Sequence, residues 1–458
     1  MKKGSKLAAL LLLGSSAIAL AACGGNPGTS DPELEGTAAD VAAASKMTLA
    51  ELEAASKKEW EDKPNGTFKV VGLTSVLAKV ATTIADKYDW LTYGAETGNN
   101  IDVNNGYKDY ALLTALNAAE NTYFADYALV QDARSFSTFI EDGILHNFVP
   151  SDWNTTLGMK EVDTLPLKGV HFNKLFWTNT NFENVNGFKL HNIWQMTGSA
   201  KEAGKADYIS KLSFQTPVTE QINMSFLLSA INPAEQKRIE EAYKDYFGKD
   251  WASDKYENAG HQWVTELVKN VSRWHSSDGT AMKETQLKDD WKEGYVYYGA
   301  FAKMKDAAGK YYSPAGCDDD PILAELRETS GDNAGKVQAM KTVKWDWDIK
   351  GFNGFMYCMD SEIINNAQYP YTACLFARVL LDEATYTGAI YNKSNPAADG
   401  TPGNQYGYYY PGTASANFKY AKGDWTKEQH IEKELNEDYD YLKSVKISRV
   451  NEILALCA

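Results

Sequence analysis

The chain has 458 residues, is 44% hydrophobic and 23% charged, and carries 34 Gly but only 13 Pro, a composition that excludes disordered, collagen-like and coiled-coil classes. Its length predicts two or three folding units with a core large enough to need no disulfide or metal. Against 46 Lys and Arg stand 61 Asp and Glu, a formal charge of −15 with no basic run, which excludes nucleic acid as a partner.

In chain order, Lys2, Lys3 and Lys6 precede residues 7–22, an uncharged and mostly apolar run of 16 residues. That is short of the roughly 20 a spanning helix needs, so it reads as an export signal. The run ends Leu20-Ala21-Ala22-Cys23-Gly24, which resembles the bacterial lipoprotein signal. The resemblance implies removal of residues 1–22 and lipidation of Cys23, tethering the body to the outer face of the cell membrane. Residues 23–45 are small and polar without apolar period, and are expected to be a flexible linker.

Thr48-Leu49-Ala50-Glu51 is a capping-box pattern opening a helix that ends before Pro64-Asn65-Gly66. FKVVG is a short strand leading through Leu73, Thr74 and Ser75 into the helical spacing of VLAKVATTIADKYDWL. Residues 107–121 read as a helix, Tyr127–Val130 as a buried strand, Gln131 and Asp132 as its exit, and 134–142 as the next helix, closed by Gly143. Alternating strands and helices predict an α/β class with a covered parallel sheet.

From about residue 166, LKGVHFNKLFWTNTNF is rich in β-branched and aromatic residues, and ISKLSFQTP is a further strand candidate. Helices are expected at 233–246 and 259–274, a short aromatic strand at 294–299, strand character at 343–357, an apolar helix at 371–382 and a charged helical tail at 426–456. There is no internal repeat, which excludes solenoids and propellers.

Catalytic motifs are missing: the sequence has no G-x-S-x-G, no phosphate loop, no G-x-G-x-x-G and no H-E-x-x-H. The six histidines never take ligand spacing. Asp318-Asp319-Asp320 lacks the alternating oxygens and glycine of a calcium loop. Asp346 and Asp348 share one face of a strand and suit either a cationic ligand or a solvent edge. No cofactor and no metal are expected. Cys317, Cys358, Cys374 and Cys457 admit three pairings that sequence does not choose among, and buried thiols are favoured.

The order of LAAC, LAELEAASKKEW, FKVVGLTS, DYALVQDARSFSTFIEDGILHNFVP, FWTNTNF, ISKLSFQTPVTEQINMSFLLSAI, WKEGYVYYGAFAKMKD and IINNAQYPYTACLFARVLL resembles the substrate-binding lipoproteins of ABC transporters. The likeness is to the type 2 periplasmic-binding-protein fold, in its iron, polyamine and thiamine branch, and covers about residues 48–385. It implies two α/β lobes flanking a cleft: 46–167 with 343–427 as the first, 168–342 as the second, and 428–458 as a helical tail. By projection the cleft is lined by Thr74, Ser75, Gln131, Asp132, Thr178, Asn179, Tyr297, Tyr298, Phe352 and Asn353. Their hydroxyls and amides suit a polar solute, Asp132 an ammonium, and the tyrosines a stacked ring. The paired tyrosines with His and Glu of iron-binding members are absent in a recognisable setting.

What the resemblance implies is a non-enzymatic, monomeric, lipid-anchored receptor that delivers a polyamine, thiamine-like molecule, sugar or similar small solute to a membrane permease. The competing expectation is an anchored extracellular hydrolase of glycosidase type, for which spacing nominates no carboxylate pair.

Overall fold

The computed structural model describes residues 34–72, 76–104, 122–131, 133–179, 189–278, 296–299, 349–382 and 431–457, together with 114–115, 118, 187, 280–281, 324–327, 337–340, 343–344, 385 and 409–411. Cys23, Thr74, Ser75, Asp132, Cys317, the triple Asp at 318–320, Asp346 and Asp348 lie outside them, as does most of the helix expected at 107–121. Among the described residues no helix is long and apolar enough to cross a membrane.

The first helix, α1 (Gly36–Ala44), corrects an expectation, because it falls inside the segment read as flexible linker. Its alanine-rich sequence favours helix, and Val41 and Ala44 are buried. The Tyr371 hydroxyl also donates to Asp40 at 3.3 Å, so tertiary contact orders what composition alone leaves loose. Next, α2 (Leu49–Asp62) opens on the capping box: the Thr48 side chain accepts from the Glu51 N–H at 3.3 Å, and Glu51 accepts from the Thr48 N–H at 2.8 Å.

The first half of the sheet follows as β1 (Phe68–Gly72), α3 (Val76–Lys87), β2 (Ile101–Asn104), β3 (Tyr127–Val130), α4 (Ala133–Glu141) and β4 (Leu145–Asn147). β1 pairs in parallel with both β2 and β3. The long strand β5 (Lys168–Asn179) leads to the second half, which holds α5 (Gly198–Glu202), β6 (Leu212–Gln215), α6 (Gln221–Ile231), α7 (Gln236–Phe247), α8 (Ala259–Asn270), β7 (Arg273–His275) and β8 (Val296–Gly299). There β6 runs parallel to both β7 and β8, and β8 is antiparallel to β5.

β9 (Ala324–Arg327) and β10 (Val337–Met340) form a separate antiparallel pair, and β11 (Val343–Lys344) pairs with the end of β5. The return to the first half is made by β12 (Gly354–Ile364), later than the expected strand at 343–357. It is followed by α9 (Pro370–Leu380), β13 (Tyr409–Pro411), β14 (Leu435–Asn436), α10 (Tyr439–Ser444) and α11 (Ile447–Cys457). The sheet order is β2-β1-β3-β12-β5-β8-β6-β7, a mixed α/β sheet in which β12 and β5 lie between two parallel halves. This matches the expected pair of α/β units joined by crossing strands.

Buried acids hold α9 against the first half. Asp126, fully buried, accepts from the N–H groups of Lys69, Gln368 and Tyr369 and from the Tyr123 hydroxyl, at 2.6–3.0 Å. Glu59 accepts from the N–H groups of Tyr371 and Thr372 and the Thr372 hydroxyl, at 2.8–2.9 Å, which supplies the first turn of α9 with acceptors for its orphan donors. Burial pushes the Glu59 carboxyl up to about 7 despite those bonds. The second half is centred on aromatics, with Phe226 stacked on Tyr298 at 4.3 Å and Trp263 against Phe352 at 5.0 Å.

Gly354 lets β12 begin where it does, because a Cβ there would stand 2.1 Å from the Lys174 carbonyl and 2.8 Å from the Leu175 Cα, both backbone. Gly354→Ala is therefore expected to force the two long strands apart and lower stability by about 1–3 kcal/mol, read as a reduced urea midpoint with unchanged slope.

Candidate functional site

The register of the sheet directs both halves at one seam. β3 ends with Val130 opposite Asp360, so its C-terminal end points toward the earlier residues of β12. From the other side β8 ends with Gly299 opposite Leu175, which is itself opposite Gly354. Gln215 at the end of β6 is level with His275 at the end of β7. The C-terminal ends of the two parallel sets thus point at each other across the middle of β5 and β12. In open α/β sheets this is where loops and helix N-termini are free to hold a ligand.

Polar side chains from both halves meet there. Gln131, after β3, donates through Nε2 to Glu220 at 3.5 Å, and Gln215 donates to the other Glu220 oxygen at 3.4 Å. Arg134 in α4 donates to the side-chain oxygen of Gln221, the first residue of α6. The Gln131–Glu220 and Arg134–Gln221 bonds run between halves, so the structure holds the seam closed at this edge. Beneath them Lys174, 3% exposed on β5, donates to Asn223 Oδ1 at 2.9 Å and pairs with Asp278 Oδ2 at 3.3 Å. Asn223 is fixed in turn by its Nδ2 bond to the Gln215 carbonyl at 2.8 Å. An ammonium withdrawn from water needs such partners, and of its three N–H donors two are committed.

The sequence-predicted residues distribute unevenly about this seam. Gln131 stands in it. Thr178 pairs with Val296, at the opposite end of β8 from Gly299, and Asn179 pairs with Val343. Tyr298 is buried among Phe176, Phe214 and Phe226, and Phe352 joins the same aromatic group. Tyr297, on the other face of β8, lies with its hydroxyl against Gly299. Asn353 is buried, with its N–H given to the Lys433 carbonyl at 2.8 Å and its carbonyl accepting from Phe176.

Sequence reasoning missed Lys174, Glu220, Asn223 and Asp278. A signal for the first was present, since a lysine between His171 and Trp177 interrupts a run otherwise suited to a buried strand. Among the described residues, no group of three or more His, Cys, Asp or Glu side chains is placed to hold a metal ion. Cys358, Cys374 and Cys457 are free thiols.

No family model and no curated protein matches the chain. Solved structures of similar outline include an ABC transporter substrate-binding protein from Bradyrhizobium japonicum USDA 110, with 11% identity, 86% of this chain and 100% of that chain covered, and a TM-score of 0.49. Iron-bound HitA from Pseudomonas aeruginosa shares 11% identity over 85% of this chain and 98% of its own, with a TM-score of 0.48. A periplasmic thiamin binding protein shares 13% over 86% and 96%, with a TM-score of 0.42. Likeness at this level is one of outline, and we rest the functional reading on the chain's own topology.

The Lys174–Asp278 pair yields a stability test. Asp278→Ala leaves a buried ammonium with one partner and is expected to cost about 3 kcal/mol or more, whereas Lys174→Met combined with Asp278→Leu is expected to cost clearly less. Chemical denaturation of the single and double variants measures the difference.

Proposed function

We propose that the chain is a non-enzymatic receptor that captures a small polar solute in the seam between its two halves and hands it on unaltered. The observation that carries this reading is the convergence of both sets of parallel strands on one polar seam, spanned mainly by two long strands that can act as a hinge. Gln131 and Arg134 on one side, and Gln215, Glu220 and Gln221 on the other, are the groups a closing pair of halves would bring onto a solute. We include Thr74, Ser75 and Asp132 in the first wall, because they follow β1 and β3 in sequence.

The delivery partner in this reading is an ABC-type permease. The site of action is the outer face of the cell membrane, with Cys23 as the lipid anchor and residues 1–22 as the export signal. The order of sequence motifs supports it, as does the pairing of an export signal with a two-part α/β body. An anchored hydrolase is the less favoured reading, because the acids at the seam are engaged by amides and by Lys174 rather than set facing each other across a gap.

A thermal-shift screen of polyamines, thiamine, sugars and metal ions tests the proposal. One class is expected to raise the melting temperature, by an increment equivalent to about 2.7 kcal/mol at a hundredfold excess over Kd. Gln131→Ala with Glu220→Ala is expected to remove most of that increment while leaving the unliganded melting temperature within a few degrees. Cleavage of a chromogenic glycoside with no shift from any solute would overturn the receptor reading.

A further inference from the structure

The segment after residue 431 does more than extend the chain, because it bridges the seam. β14 adds in parallel to β12 at Phe355 and Met356, on the edge that β3 takes up again at Asp360. Between those two attachments Glu437 Oε2 accepts the Cys358 N–H at 3.0 Å, which satisfies the strand edge left open at the seam. The Tyr439 hydroxyl then stands 2.9 Å from each Asp360 oxygen and 2.7 Å from Cys358 Sγ.

Beyond it α10 packs against α4 in the first half and α6 in the second. Its attachments divide the same way. Lys443 pairs with Glu141 of the first half, while Asp438 accepts from Asn232 of the second at 3.1 Å. The Glu434 carbonyl accepts from Arg238, also in the second half, at 3.0 Å.

The cluster under this bridge carries more acid than it can ionise together. Asp360 and Glu362 on β12, Glu437 after β14 and Asp163 before β5 are all buried or in buried surroundings. The basic side chains facing them are Lys168, 3.7 Å from Asp163 and over the Tyr439 ring at 5.7 Å, and His171, 3.9 Å from Asp163. Neither Glu362 oxygen meets a donor at hydrogen-bonding geometry, the Leu167 N–H being given to Asn147 at 2.7 Å, and Glu437 Oε1 likewise meets none. Protons on these carboxyls are the remaining way to offset their burial.

We propose that residues 434–444 are a clasp that locks the two halves at the seam, seated while the carboxyl cluster of Asp360, Glu362 and Glu437 keeps its protons and loosened as it loses them. Burial pushes Asp360 up to about 7 against the pull of the Tyr439 hydroxyl and Lys168. Burial and the neighbouring Asp360 raise Glu362 and Glu437 well above the usual carboxylate range. A seated clasp thus binds protons that a released one gives up near pH 4, so its stability is fullest at low pH. It falls as pH rises from about 4 through about 7.

Hydrogen exchange of the full chain, without added solute and corrected for the intrinsic pH dependence, tests this directly. Amides of 434–444 are expected to lose about tenfold or more protection between about pH 5 and pH 8, while those of α3 do not. Asp360→Asn fixes a neutral side chain and is expected to flatten that response, and Glu437→Gln to reduce it. Tyr439→Phe is expected to loosen the clasp at both pH values. Protection of 434–444 that is independent of pH, that changes in step with α3, or that keeps its full pH response in both neutral variants would overturn the proposal. Because no solute enters the experiment, its outcome is separate from that of the receptor reading.

Discussion

The antiparallel ladder between β5 and β12 is the interaction on which the rest depends. It is the shared edge of two parallel sheets that otherwise point in opposite senses, and its register sets where β3 and β8 stop. Every group at the seam inherits its position from this ladder. Lys174 is part of it, Gln131 follows the strand that pairs with Asp360, and Gln215 sits on a strand aligned through β8. The ladder tolerates close approach at Gly354 and little elsewhere, since it is covered on both faces and all of β12 is buried.

Much of this architecture was legible in the sequence, and the misses have physical causes. The capping box at Thr48, the strand at Tyr127–Val130 and the crossing strand beginning near Lys168 were readable, because each carries a local signal in capping or hydrophobic pattern. α6 gave no helical period, because it is buried on almost every side from Ile222 to Ile231. α1 was hidden by small residues whose order comes from contact with α9. β14 is two residues long, and nothing in so short a run marks its place in a sheet.

The site was less legible than the fold. Of the residues projected by likeness, Gln131 lies at the seam, whereas Tyr298 and Phe352 pack in the aromatic core and Thr178 lies at the far end of its strand. Polar residues come together here through burial and through partners distant in sequence, as with Lys174 and Asp278 or Gln131 and Glu220. Composition and spacing carry no information about such pairs. They arise only once register is fixed.

Neighbours in the sheet are also far apart along the chain, and this bears on the order of assembly. β5 cannot gain its central partner until Gly354–Ile364 has been made, and α9, which covers the first half, comes later still. A chain emerging from its N-terminus therefore holds long unpaired edges through most of its synthesis, with the slow kinetics and aggregation exposure of non-local pairing. Exposure of unpaired strand edges during biogenesis follows from the strand order itself, whatever the finished molecule carries.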